Sequence, residues 1–172
     1  MSGASAPPNP WITLDCRPVY ENPWIAVRED RVIRPDGSPG IYGVVHFKNR
    51  AIGVLAVEED GSIWLVGQHR YPHDRYSWEI PEGGGPHGVE PVVSAQRELR
   101  EETGLVAASW HEVLQLHLSN SVTDEHALAF LAWDLEEGEN EPESTEALPR
   151  RPPPFAAARS ESRRVRKGGR SL

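Results

Sequence analysis

Apolar positions along this 172-residue chain fall in short blocks whose period is close to two almost everywhere and changes to 3.6 once. Residues 11–32 are thinly apolar and aromatic-rich, with Trp11, Tyr20 and Trp24 available to anchor edge strands. The run Pro35-Asp36-Gly37-Ser38-Pro39-Gly40 is dense in turn residues and separates two strand candidates. Residues 41–48 and 51–57 are apolar, β-branched and of strand length. Glu58-Glu59-Asp60-Gly61 then turns the chain into residues 62–67, which predicts a hairpin. Residues 110–118 alternate, with Leu114, Leu116 and Leu118 on one face and Val113, Gln115 and His117 on the other. Residues 126–133 are more continuously apolar, as in a strand covered on both faces.

The helical period enters at Pro91, whose missing N–H costs nothing in a first turn. Val92, Ala95 and Leu99 recur at i, i+3 and i+7, and Gly104 follows as a residue suited to the left-handed stop. Many strands around one amphipathic helix predict an α/β or α+β sheet protein. No internal repeat interrupts this order. Residues 1–10 read as a flexible leader. Residues 150–172 form a basic, Pro/Arg-rich tail that is too poor in apolar side chains to order itself.

Charge changes the picture. The formal net charge of −8 divides into −15 for residues 1–149 and +7 for residues 150–172. A body that acidic repels a nucleic-acid backbone and suits carboxylates gathered on a divalent cation. Cys16 is the single cysteine, so neither an internal disulfide nor a Cys-rich zinc site is available. No basic segment leads an apolar run near Met1, and no apolar stretch approaches the roughly 20 residues that span a bilayer. A cytoplasmic protein with no membrane partner is expected.

The candidate chemistry lies in residues 83–105, a glycine-rich loop followed by the helix. Glu98, Glu101 and Glu102 stand at i, i+3 and i+4, so three carboxylates share one helix face and repel one another. A hard cation such as Mg²⁺ relieves that repulsion. A solvated acidic face paired with Arg97 and Arg100 is the other reading of the same charges.

Residue order separates the two. Gly83, Arg97, Glu98, Leu99, Glu101, Glu102, Gly104 and Leu105 stand in the register of Gly-x5-Glu-x7-Arg-Glu-U-x-Glu-Glu-x-Gly-U, where U is a bulky aliphatic residue, and so the chain resembles the Nudix hydrolases. One position departs: Val89 occupies the place of the first Glu, with Glu90 one residue later. Gly67-Gln68-His69-Arg70-Tyr71-Pro72 and Trp78-Glu79-Ile80-Pro81-Glu82-Gly83 extend the likeness to ADP-ribose and nucleoside-diphosphate-sugar pyrophosphatases, over about residues 11–147.

The resemblance implies a Nudix-type α/β/α sandwich with a mixed β-sheet and an N-terminal antiparallel strand segment. It divides the chain into N-terminal strands at 11–40, available for exchange in a homodimer, and a hydrolase domain at 41–149. It implies Mg²⁺, with Mn²⁺ as a substitute, on Glu98, Glu101, Glu102 and the carbonyl of Glu82, with Arg97 orienting the carboxylates. Arg70, Glu79, Gly83, Gly84 and Glu125 are implied on the substrate. The general base is implied among Glu141, Glu143 and Glu146, between which spacing does not choose. Bland alternatives stand beside these: a cross-strand ion pair for Arg70 and Glu79, and a turn residue for Glu125. The implied reaction is hydrolysis of a nucleoside diphosphate linked to a sugar, ADP-ribose first among them. The competing readings are a catalytically weak or inactive nucleotide-binding protein on the same fold, supported by Val89, and a dinucleoside polyphosphate hydrolase. The histidines are scattered without metal-ligand spacing, His73 and His87 flanking the loop and helix.

Overall fold

The computed structural model describes residues 6–138 and the backbone of 150–151. Two compact units emerge, one from residues up to 49 with 117–125 and one from residues 50–116 with those from 126 onward.

In the first unit β1 (Ile12–Glu21), β2 (Ile25–Ile33) and β3 (Pro39–Phe47) form an antiparallel meander in that order. The turn-rich run between β2 and β3 closes as expected, with the Arg34 N–H on the Ser38 carbonyl at 2.8 Å and Gly37 at φ +84°. Pro18 is tolerated because β1 is an edge strand, and its register slips there. Of the three expected anchors only Trp11 packs on a ring, edge-to-face on Tyr42 at 5.2 Å between centroids. Tyr20 and Trp24 stand exposed. Residues 118–125 are laced to β3: the Val45 N–H donates to the Val122 carbonyl at 2.9 Å and the Asp124 N–H to the Val45 carbonyl at 3.2 Å.

The second unit holds a four-stranded sheet in the order β7 (Glu82–Pro86), β4 (Asn49–Ala56), β9 (His126–Glu137), β8 (Leu105–His117). β4 and β9 run parallel, with Ile52 opposite Leu128 and Val54 opposite Phe130. A second sheet pairs β5 (Leu65–Arg70) with β6 (Arg75–Glu79) and with the two-residue β10 (Arg150–Arg151). The tail thus begins on a strand, and its remaining residues lie outside the described ones. The expected hairpin closes at its turn, where the antiparallel Val57–Ile63 bridge is flanked by the Glu58 N–H on the Ser62 carbonyl at 2.9 Å and the Trp64 N–H on the Ala56 carbonyl at 3.0 Å, and beyond Trp64 the returning strand pairs with β6 instead. β4 already has β7 on one side and β9 on the other, which leaves no edge for β5.

Helix α1 (Pro91–Thr103) begins and ends where its signals place it. Gly104 takes φ +76° and its N–H closes on the Arg100 carbonyl at 2.8 Å. Ala95 and Leu99 are fully buried against Ile52, Val54, Leu128 and Phe130, which makes this the core of the unit. Both long strands depart from expectation: β9 buries Leu128, Phe130 and Ala132 in alternation while Ala129 and Leu131 stay half-buried, so one face is covered more than the other, and in the outer half of β8 Val113, Leu114 and Leu116 are all exposed, so neither face is covered. The mixed sheet and the N-terminal antiparallel segment are as expected, and α1 is the one α-helix among the described residues. None of their helices is long and apolar enough to cross a membrane.

Candidate active site

The i, i+3, i+4 spacing on α1 turns Glu98, Glu101 and Glu102 toward β7, the strand that carries Glu82, Gly83 and Gly84. Arg97 binds this arrangement together. Its guanidinium donates to Glu101 Oε2 at 2.8 Å, to Glu98 Oε1 at 2.5 Å and to the Gly84 carbonyl at 2.8 Å. Arg97 is therefore more than a helix-surface charge: it joins two carboxylates of α1 to the backbone of β7. Glu98 is itself buried, with its carboxyl packed on the bare Cα of Gly83, where an added Cβ would sit 2.2 Å from Cδ. Residues 83–85 lie in a strand rather than the expected loop, because β7 pairs beside β4. In this arrangement Gly83 supplies space and Gly84 a hydrogen-bond acceptor.

Glu102 accepts the Glu82 N–H at 3.0 Å. Burial pushes its carboxyl up to about 7; the charges of Glu98 and Glu82 add to the rise, while the Glu82 N–H and Arg70 oppose it. The side chain of Glu82 is taken by Arg70, which also donates to Glu79 from Nε at 2.8 Å. Gln68 donates to the same Glu79 oxygen at 3.3 Å. Burial works against the Glu79 charge, but hydrogen bonds from Arg70, Ser77 and Gln68 outweigh it and hold its carboxyl below the usual range. Arg70 and Glu79 do form an ion pair, and through Glu82 that pair is continuous with the carboxylates of α1.

Five carboxylates (Glu79, Glu82, Glu98, Glu101, Glu102) are thus met by two guanidiniums. Among the described residues no three Asp, Glu, His or Cys side chains converge as a finished cation cage. Glu98 and Glu101 are turned onto Arg97, and Glu102 onto an amide. The donor set nevertheless suits a hard divalent cation: it is all oxygen, it carries an excess of negative charge, and one member is pushed toward holding a proton.

The other expected residues are less closely joined. Glu125 belongs to the first unit, half-buried at the end of the 118–125 loop, with its carboxyl pushed up by burial. Glu141, Glu143 and Glu146 lie outside the described residues. Glu90 is the N-cap of α1 without a side-chain capping bond, about 12 Å along the axis from Glu98 at 1.5 Å per residue. Two arrangements had no local signal. Arg50 clamps the turn before α1, donating to the carbonyls of His87 and Val89 at 3.2 Å each. In the first unit His46 Nδ1 meets Asp124 at 2.6 Å while the Phe47 N–H donates to the same carboxylate. Both bring together residues far apart in sequence.

The chain matches two family models: the nucleoside diphosphate sugar hydrolase N-terminal domain over residues 11–45, and the NUDIX domain over residues 47–164. It is 34% identical over 127 residues to an ADP-ribose pyrophosphatase of Mycobacterium tuberculosis, a match covering 73% of this chain and 60% of that protein. It is 41% identical over 85 residues to an ADP-ribose pyrophosphatase of Bacillus subtilis, covering 49% and 46%. The chain therefore spans about half to three-fifths of the length of these relatives. A crystal structure of an ADP compounds hydrolase is similar at TM-score 0.82 and 19% identity, over 92% of this chain and 86% of that one, which shows a common fold.

Proposed function

The chain belongs to the NUDIX family, and from that premise we propose that it hydrolyses the pyrophosphate bond of a nucleoside diphosphate linked to a sugar, ADP-ribose first among candidates. The family works with a divalent cation and acts on small nucleotide substrates. The observation that carries the reading is the carboxylate face of α1, held against β7 by Arg97 and short of positive charge. The ADP-ribose pyrophosphatase relatives support the substrate class.

Water attacks a pyrophosphate slowly because both phosphorus centres are shielded by negative oxygens. Mg²⁺, or Mn²⁺ in its place, held by Glu98, Glu101, Glu102 and the Glu82 carbonyl, would neutralise that charge and stabilise the leaving phosphate. Arg97 keeps Glu98 and Glu101 side by side, a task a guanidinium performs without losing its proton. Arg70 presents N–H donors and Glu79 an anionic acceptor to substrate. One of Glu141, Glu143 and Glu146 takes a proton from water as its oxygen bonds to phosphorus and the bridging P–O bond opens. The products are a nucleoside monophosphate and a sugar phosphate.

We further propose a cytoplasmic homodimer formed through the N-terminal strands. Ile12, Leu14, Val19, Tyr20 and Ile41 are exposed on them and Trp24 in the turn between β1 and β2, an apolar surface suited to burial against a second copy. Light scattering on wild type and Leu14→Asp tests this, with a dimer for the first and a monomer for the second expected.

The reaction is tested by mass spectrometry of products after incubation with Mg²⁺ and ADP-ribose, other nucleotide sugars and dinucleoside polyphosphates. AMP and ribose phosphate from ADP-ribose, absent in Glu102→Gln, is the expected result. Nucleotide binding without turnover of any compound would leave a catalytically inactive binding protein instead, and release of products from dinucleoside polyphosphates alone would reassign the substrate.

A further inference from the structure

Helix α1 has a second polar face that the hydrolytic reading does not use. Val93, Gln96 and Arg100, at i, i+3 and i+7, form a stripe turned away from Glu98 and Glu102. With Arg97 of the same helix and Val106 and Trp110 of β8 they line a groove of about 450 Å³. Val93 and Val106 are 50% and 39% exposed, so the groove keeps aliphatic surface in water. The Trp110 indole N–H is engaged by the Ala107 carbonyl at 3.0 Å, which leaves ring carbon as the surface it offers. Arg100, although next to Glu101 in sequence, forms no ion pair among the described residues, and it does so in a body whose first 149 residues carry −15.

An aromatic plane, aliphatic walls and two guanidiniums in one groove are complementary to a flat heteroaromatic group bearing a phosphate. Guanidiniums match phosphate oxygens in geometry as well as charge. The volume lies in the range of small-molecule sites. We propose that this groove between α1 and β8 binds a purine nucleoside monophosphate, with the base against Trp110 and the phosphate on Arg100 and Arg97. The proposal rests on the hydrolytic reading only for the source of the ligand, since a nucleoside monophosphate is the product that reading releases. Arg97 links the two faces: a phosphate that draws its guanidinium toward the groove loosens its hold on Glu98, Glu101 and the Gly84 carbonyl. Occupancy of the groove would then oppose turnover, as a product acting on its own enzyme.

The test is a titration of the full ¹⁵N-labelled chain with AMP in EDTA, followed at the indole N–H of Trp110 and the guanidinium N–H of Arg100. Saturable shifts at both groups below about 10 mM AMP are expected, with affinity reduced about tenfold or more in Arg100→Glu and by less in Arg100→Lys, which keeps the charge but not the planar fork. Unshifted Trp110 and Arg100 signals would overturn the proposal. So would equal shifts in Arg100→Glu, or shifts confined to β7 and the carboxylates. Turnover of ADP-ribose measured on the same preparation keeps the two readings separate. Turnover without groove binding sinks this proposal alone, and groove binding without turnover sinks the hydrolytic one alone.

Discussion

The N-terminal sheet and the α1–β7 region are built on opposite principles. Among the described residues of the first unit only Val32 and Asp30 are buried, and β1 exposes every residue. That sheet is held by its backbone ladder and by exposed ion pairs such as Arg17–Glu29 at 3.0 Å and Lys48–Glu21 at 2.6 Å. The second unit buries a contiguous apolar cluster from Ile52 to Ala132. It then spends part of that stability on Glu98 and Glu102, carboxylates withdrawn from water beside one another. Asp30, met by Arg28 at 3.1 Å, is the one buried charge among the described residues of the first unit; its other charges sit where they are cheap, whereas those of the second unit's site sit where they are costly. Costly placement marks the site.

The largest break in this comparison comes from Glu102→Gln. Loss of the carboxylate should lower turnover of ADP-ribose by about a thousandfold or more, roughly 4 kcal/mol in transition-state stabilisation, checked by initial rates at saturating substrate. The same variant should be more stable than wild type in EDTA at pH 8. The folded-state value of Glu102 is raised from 4.5 to about 7, so the fold favours its protonated form. That contribution is complete below pH 4.5 and is lost as the pH rises to about 7. Glutamine keeps the neutral form at every pH. After allowance for solvent near a partly exposed group, the gain is on the order of 1–2 kcal/mol.

Leu99→Ala probes the apolar side of the same helix. Leu99 is fully buried in the core, so a loss of about 2–5 kcal/mol is expected in urea unfolding. Gly83→Ala separates site from core: the new Cβ meets the Glu98 carboxyl at 2.2 Å, and a flexible side chain can yield where a backbone cannot. Activity should fall about tenfold or more, with the melting temperature within about 3 °C of wild type. The smallest effect is reserved for the N-terminal sheet. Lys48→Ala removes an exposed pair and should cost under about 1 kcal/mol, less still in high salt.

How far the sequence carried depends on the range of the interaction. The limits of α1, its Gly104 stop and the shared face of Glu98, Glu101 and Glu102 follow from spacings within four residues, and all are found. A turn signal at 58–61 says that the chain reverses, as it does at the Val57–Ile63 bridge, but not that β5 goes on to pair with β6, because it does not say which edge is free. Glycine at 83–85 signals a loop, yet these residues lie in β7, where Glu98 presses on the bare Cα of Gly83 and Ile52 on that of Gly85. The Arg50 clamp on His87 and Val89, 37 and 39 residues away, and the His46–Asp124 contact, 78 residues apart, carry no local pattern at all.

On the proposed function, the carboxylate face of α1 binds a divalent cation, and its crowded charge strains the fold until that cation is held. Melting temperatures of wild type and Glu102→Gln at pH 8, each in EDTA and in about 10 mM Mg²⁺, test that directly. Wild type should melt lower than the variant in EDTA and rise by several degrees in Mg²⁺, while the variant stays nearly unchanged. Equal melting temperatures in EDTA, with no response of wild type to the cation, would contradict it.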